Sequence, residues 1–145
     1  MAKPPLTEED GIMLRSGIWV VQVLLSLGLV SCNRQTSLST VQQQRSGDYV
    51  VSLLSETGAV KQHASKLTLE FRNASNNEAA NVTNVQVQAS MRMAGMGPML
   101  GNVSSTRQTS PGRYEFDADL SMAGQWNLVV TFDPNGRVQF NISAQ

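Results

Sequence analysis

Methionine is the residue type in this chain whose spacing most clearly suggests chemistry. Four of the seven methionines lie within residues 91–101, a run that also contains three glycines and one proline. A thioether sulfur is a soft, uncharged ligand, and soft ligands select Cu(I) over hard divalent ions. The bends at the glycines and the proline would let these side chains converge, and a fifth methionine lies in the short turn at 121–124. The candidate Cu(I) ligands are therefore Met91, Met93, Met96, Met99 and Met122.

Core packing is the competing interpretation for part of this set. Met91 and Met93 continue an alternating apolar face that begins at Val85, and methionine is a flexible filler of protein cores. Packing and ligation both remain open for these two residues. Met96 and Met99 lie in the glycine-rich part of the run, where a core residue is less expected. There the pattern favours ligation.

The only cysteine, Cys32, ends the run LVSC at residues 29–32, which has the form of a bacterial lipobox. The apolar stretch 18–30 is shorter than the roughly 20 residues that a membrane-spanning helix needs. It matches the h-region of a signal peptide, which is about 7–15 residues long. We therefore predict a lipoprotein signal peptide over residues 1–31, with Met13 as a possible true start, and acylation of Cys32 after cleavage. A retained N-terminal anchor and a buried, inert cysteine are the alternatives.

This signal assigns the protein to the bacterial cell envelope, anchored by lipid to a membrane and facing the periplasm or the exterior. Residues 32–46 are polar and rich in Gln and Ser, without an apolar period. Such a composition is typical of a flexible linker. We therefore expect a lipid-anchored linker over residues 32–46 and a single folded domain over residues 47–145.

The folded domain shows the period-two alternation of β-strands with one buried and one exposed face. Turn signals separate the alternating runs, the strongest being the sequence DPNG at 133–136. The pattern predicts an all-β fold, a seven-stranded antiparallel immunoglobulin-like β-sandwich, with Trp126 and Phe116 inside. The seven expected strands cover residues 48–54, 66–72, 84–93, 102–108, 113–120, 126–132 and 138–142.

Composition argues against several other functions. The formal net charge is zero, so no basic field exists to attract phosphates, and nucleic acid is not an expected partner. One cysteine cannot form a disulfide framework. Nucleophilic catalysis needs a base beside the nucleophile, and the only histidine, His63, stands alone in a polar stretch where a solvated loop histidine is expected. The chain is therefore not predicted to be an enzyme.

Four short segments together resemble the YtkA-like/FixH-like domain: GDY at 47–49, GMGPM at 95–99, PGRY at 111–114 and MAGQW at 122–126. The resemblance covers residues 47–145. Similar domains accompany periplasmic adaptor subunits of heavy-metal efflux systems and copper-handling lipoproteins, so the resemblance implies metal handling outside the cytoplasm. No histidine lies near the methionine run in this sequence, and a mixed histidine and methionine site is therefore not expected.

Two functions are consistent with these features. The first is a membrane-anchored, extracytoplasmic domain that binds or delivers Cu(I) through its methionine-rich loop, associated with a metal efflux system or a copper protein. The second is a structural or adaptor module that docks onto a membrane complex, with the methionines packing the interface. Methionine suits a pliable protein contact as well as a soft metal, so the sequence leaves both open.

Overall fold

The computed structural model describes residues 37–145, and within this range the chain forms ten β-strands and no helix. Alternation accounts for most of these strands, because successive side chains on a strand point to opposite faces. In chain order the strands are β1 (Ser39–Ser46), β2 (Tyr49–Ser55), β3 (His63–Asn73), β4 (Thr83–Met91), β5 (Met99–Leu100), β6 (Asn102–Val103), β7 (Arg107–Ser110), β8 (Arg113–Leu120), β9 (Gly124–Asp133) and β10 (Gly136–Ala144).

The strands form two sheets. The first sheet has the order β1-β2-β3-β8-β6, and β7 pairs with β8 beside β6; the second has the order β10-β9-β4-β5. Every pairing between these strands is antiparallel. Neighbours in sequence pair as hairpins in β1–β2, β2–β3 and β9–β10, whereas β3–β8 and β4–β9 join strands that are distant in the chain.

Both sheets contribute to one hydrophobic core. Phe71 from the first sheet and Phe140 from the second are both fully buried, and Phe71 packs edge-on against Phe132 with ring centroids 4.9 Å apart. The expected positions of Trp126 and Phe116 are confirmed, because only 1% and 2% of their surfaces remain exposed. Burial of a large apolar side chain contributes about 1.5–3 kcal/mol, so the alternating faces of these strands supply the main stabilisation.

The all-β antiparallel architecture is confirmed, and the predicted number of strands is wrong. The expected strand at 102–108 is divided into β6 and β7. The strand β5 has only two residues, and β1 is polar with no fully buried residue. Neither element carries the apolar alternation that marks a half-buried strand, which is why the sequence pattern did not reveal them.

The flexible linker expected over residues 32–46 is wrong for residues 39–46. This segment forms β1 and pairs with β2 along the edge of the first sheet. Backbone hydrogen bonds to β2 hold it, and an edge strand can pair in this way without burying an apolar face. The folded domain therefore includes residues 39–46 in addition to the expected residues from Gly47 onward, and residues 1–36, with the predicted signal peptide and Cys32, lie outside the described range.

The chain crosses from the second sheet to the first at Gly101, the single residue between β5 and β6. Its amide donates to the carbonyl of Ala89 at 2.9 Å. A methyl group added to Gly101 would approach the Ala89 Cβ to 2.9 Å and the Leu120 Cδ2 to 3.0 Å. Only glycine fits at this close approach of the two sheets, and the crossing fixes the strand that carries Met99.

Within residues 37–145 no helix has the length and apolar character required to cross a membrane.

Candidate methionine site

The ladder between β4 and β5 brings two of the candidate ligands side by side. Met91 is the direct cross-strand partner of Met99. Directly opposed residues of an antiparallel pair share a face, with Cβ atoms about 4.5–5.5 Å apart. Met91 is buried in the core at 7% exposure, and Met99 is partly buried against the core. The bend at 92–98 therefore returns the chain so that two thioethers from opposite ends of the methionine run lie together.

The turn between β8 and β9 lies against both members of this pair. The Ser121 hydroxyl donates a hydrogen bond to the Met99 Sδ at 3.4 Å. A Cβ at Gly124 would lie 3.0 Å from the Met91 Cε, and Gly124 has a φ of +132°, a backbone conformation that glycine adopts readily. Glycine at this position thus lets the turn approach the Met91 methyl group. Met122, in the same turn, is brought to the same end of the domain.

The Met122 backbone is held in place by the core. The Trp126 Nε1 donates a hydrogen bond to the Met122 carbonyl at 2.9 Å. Because the Trp126 ring is buried, this bond ties an exposed turn to the rigid interior. The Met122 side chain itself is 43% exposed, so it is available to a ligand while its backbone is fixed.

Met93 and Met96 occupy the connection at 92–98. The Met96 amide donates to the Met93 carbonyl at 3.4 Å, which closes a turn around the left-handed Gly95. Met93 is partly buried against the core, and the Met96 side chain is 70% exposed. The two loops at 92–98 and 121–123, with β5 between them, form what we call the methionine end of the domain. Together with Met91, the last residue of β4, it contains every methionine of the described residues.

The structure places His63 differently from the sequence-based expectation. His63 is exposed, but it begins β3 instead of lying in a loop, and its cross-strand partner is Leu120. The adjacent Gln62 donates from its side-chain amide to the Ser121 carbonyl at 3.2 Å. The histidine thus lies at the methionine end, although it is far from the methionine run in sequence. Only the pairing of β3 with β8, a contact between distant segments, could have revealed this.

The neighbourhood of His63 contains one carboxylate. The His63 Nδ1 lies 4.0 Å from the Asp119 Oδ1, and both side chains are more than half exposed. An exposed pair of this kind contributes little to stability. No group of three or more His, Cys, Asp or Glu side chains that could hold a metal ion occurs among the described residues. The candidate site therefore consists of thioethers, with His63 at its margin.

A different cluster of charged groups lies at the opposite end of the domain. The Glu70 carboxylate accepts hydrogen bonds from Arg113 at 2.8 and 3.0 Å and from Arg72 at 3.1 Å. Burial alone would raise the pKa of Glu70, but the hydrogen bonds and charges of Arg72 and Arg113 outweigh it and hold this pKa below its ordinary value. The cluster links β3 to the start of β8 and has no contact with the methionine end.

The described residues form an all-β domain with a cluster of methionines at one end. Residues 43–131, more than half of the chain, match the YtkA-like family. The chain belongs to the YtkA-like family. No curated protein matches its sequence. The matched segment contains the strands β2–β8, both loops of the methionine end and most of β9.

Proposed function

We propose that this protein is a lipid-anchored, extracytoplasmic domain that binds or delivers Cu(I) through its methionine end. The observation that carries the proposal is the pairing of Met91 with Met99 beneath the turn that holds Met122. Ser121, next to Met122, bonds to the Met99 sulfur, and Gly124 at the end of the same turn lies close to the Met91 methyl group. Uncharged, soft sulfur ligands in a partly buried position suit Cu(I) and disfavour Zn(II) and Cu(II).

The exposure of the five side chains suggests how they would share the ion. Met99 is partly buried, whereas Met96 and Met122 are exposed. Met99 would serve as the fixed ligand, and Met96 and Met122 would move onto the ion from the loops. Met91 and Met93 pack against the core, so they would act as inner ligands or as packing support. Exposed ligands on loops are also the ones that a partner could reach during transfer.

The proposed location comes from the N-terminal sequence, and the proposed partners come from the family resemblance. Cys32 ends a lipobox, and its acylation would attach the domain to a membrane of the bacterial cell envelope. A metal efflux system or a copper protein would then supply or receive the ion. The FixH-like character and the immunoglobulin-like strand topology belong to this proposal as well. We propose no catalytic activity.

A competition titration with Cu(I) under reducing conditions tests the site. Met96→Leu combined with Met99→Leu keeps approximate volume and apolar character, so it removes ligands while the fold is retained. We expect the affinity for Cu(I) to fall at least about tenfold, which corresponds to about 1.4 kcal/mol. Zn(II) should bind poorly to both proteins.

The same titration at two pH values identifies the ligand type. A thioether has no proton to lose, so Cu(I) affinity should change little between about pH 5 and 7, whereas a histidine site would weaken as imidazole protonates near 6.5. His63→Ala is the matched control and should leave the affinity unchanged. Unaltered affinity in the double variant, a strong loss in His63→Ala, or no Cu(I) binding by the wild type would contradict the proposal.

One observation favours the second function, a docking module. The three exposed large apolar side chains of the described residues are Met96, Leu100 and Met122, and all three lie at the methionine end. A cluster of exposed apolar side chains marks a surface that contacts another apolar surface. Docking and metal transfer are compatible, because both would use the same end of the domain.

A further inference from the structure

We infer that the methionine end faces the lipid bilayer and contacts it with Met96, Leu100 and Met122. The inference rests on the proposed anchor at Cys32, and it adds an orientation that the anchor alone does not determine. Three independent features lead to it: the direction of β1, the length of chain between β1 and Cys32, and the distribution of charge between the two ends of the domain.

The first feature is the direction in which β1 enters the fold. Ser39, its first residue, pairs with Ser55, and Ser55 pairs with Leu67. Leu67 pairs in turn with Phe116, four residues before Leu120. From the level of Leu67, β1 runs away from the methionine end and towards the hairpin at Gly47. The strand β1 therefore begins on the side of the methionine end.

The second feature is the shortness of the tether. Cys32 and Ser39 are seven residues apart, and a fully extended chain of that length spans at most about 25 Å. The strand β1 itself covers about 23 Å from Ser39 to Ser46. The opposite end of the domain could reach the anchor only if the tether folded back over nearly the whole length of β1. The methionine end, about 15–20 Å beyond Ser39, is reached without such a reversal.

The third feature is the distribution of charge. Residues 93–101 and 120–126, which supply the exposed apolar side chains, contain no charged residue. Placing a charged group in an apolar medium is costly, so these segments are suited to the bilayer interface. Exposed charges of both signs flank these segments: Lys61 and Arg92 are cations that can interact with anionic head groups, and Glu56 and Asp119 are carboxylates.

The turns at the opposite end differ in this respect. The charged side chains in or beside those turns include Asp48, Glu78, Arg113, Asp133 and Arg137. None of the large apolar residues in these turns is exposed among the described residues. The exposed large apolar side chains of the described residues are thus confined to the methionine end, which agrees with the orientation inferred from the tether.

Quenching of tryptophan by brominated lipids tests the orientation. The full-length, acylated protein is inserted into phosphatidylcholine vesicles with brominated acyl chains, once as Leu100→Trp and once as Asp48→Trp. Leu100 is not a proposed copper ligand, and Asp48 lies in the exposed turn of the opposite end. The native Trp126, which remains after cleavage of the predicted signal peptide, gives the same background in both variants. An apolar surface buried about 5–10 Å into the interface should make the loss of fluorescence larger for Leu100→Trp.

Flotation of the vesicles separates this inference from the anchor. If both variants float and show equal loss of fluorescence, the membrane anchor is supported and the proposed orientation is wrong. The apolar surface would then contact a protein partner or a second copy of the chain. If neither variant floats, the anchor and this inference both fail, while the Cu(I) titration is unaffected. Met96→Trp, at the tip of the loop, repeats the test if Leu100→Trp does not fold. The predicted result is stronger quenching of Leu100→Trp, and of Met96→Trp, than of Asp48→Trp.

Discussion

The Met99 side chain packs against the core and is also a proposed ligand of Cu(I). Its sulfur accepts a hydrogen bond from Ser121, and its strand partner is the buried Met91. These contacts fix the side chain from two directions while leaving it partly exposed. Sequence spacing predicted that methionines converge here, but the Ser121 contact required the β8–β9 turn to be positioned by tertiary pairing.

Glu70 provides a prediction about pH at the scale of single residues. Its pKa is held below the ordinary value of 4.5, so its ionised form stabilises the fold at neutral pH. This contribution is fully present above about 4.5 and is lost as the pH falls through the lower, folded-state pKa. Glu70→Gln should therefore reduce the free energy of unfolding at pH 7 by an amount on the order of 1 kcal/mol, and the difference from wild type should shrink in acid.

Chemical denaturation at pH 7 and in acid measures this difference. Glu115→Gln is the matched control, because Glu115 pairs with a single arginine, Arg107, whose side chain is 74% exposed. It should cost less at neutral pH than Glu70→Gln. A loss for Glu70→Gln that is the same at both pH values would contradict the assigned role of its carboxylate.

At the scale of strands, alternation was sufficient to predict the half-buried elements. The faces of β3, β8, β9 and β10 follow the sequence pattern, and Trp126 and Phe116 are buried as predicted. Strands that lack a buried face were missed, because backbone pairing leaves no apolar signature. The same limit applies to His63, whose position depends on the register between β3 and β8.

Trp126 gives the corresponding prediction for the core of β9. Trp126→Ala should lower the free energy of unfolding by about 3–5 kcal/mol, because a large aromatic site is emptied. It also removes the donor that holds the Met122 carbonyl. The neighbouring, exposed Gln125 provides the control, and Gln125→Ala should stay within about 0.5 kcal/mol of wild type. A loss well under about 1 kcal/mol for Trp126→Ala would be inconsistent with a packed indole at this position.

At the scale of the whole molecule, the proposed anchor and the proposed orientation of the methionine end would form one arrangement. The six residues 33–38 between Cys32 and β1 would hold the proposed site near the membrane surface. Copper exchange would then take place with a membrane-embedded partner. Part of this arrangement follows from the lipobox in the sequence, whereas the direction of β1 could come only from the strand pairing.

Cys32→Ser tests the attachment itself. Loss of the thiol should either release the domain from membranes or leave an uncleaved precursor, because acylation requires sulfur at this position. Cell fractionation and the mass of the mature protein report both outcomes. Ser31→Ala, a change to another small residue beside the cysteine, is the control and should remain attached to the membrane. Unchanged fractionation and mass in Cys32→Ser would rule out the lipoprotein assignment.

X-ray absorption at the copper and selenium edges tests the central claim, Cu(I) ligation by methionine, most directly. The protein is produced with selenomethionine, loaded with Cu(I), and compared with the Met96→Leu and Met99→Leu double variant. We predict copper–selenium scattering at both edges in the selenomethionine protein of wild-type sequence, and a clear loss of this scattering in the double variant. A copper shell made only of nitrogen and oxygen, with no selenium neighbour, would contradict the methionine site.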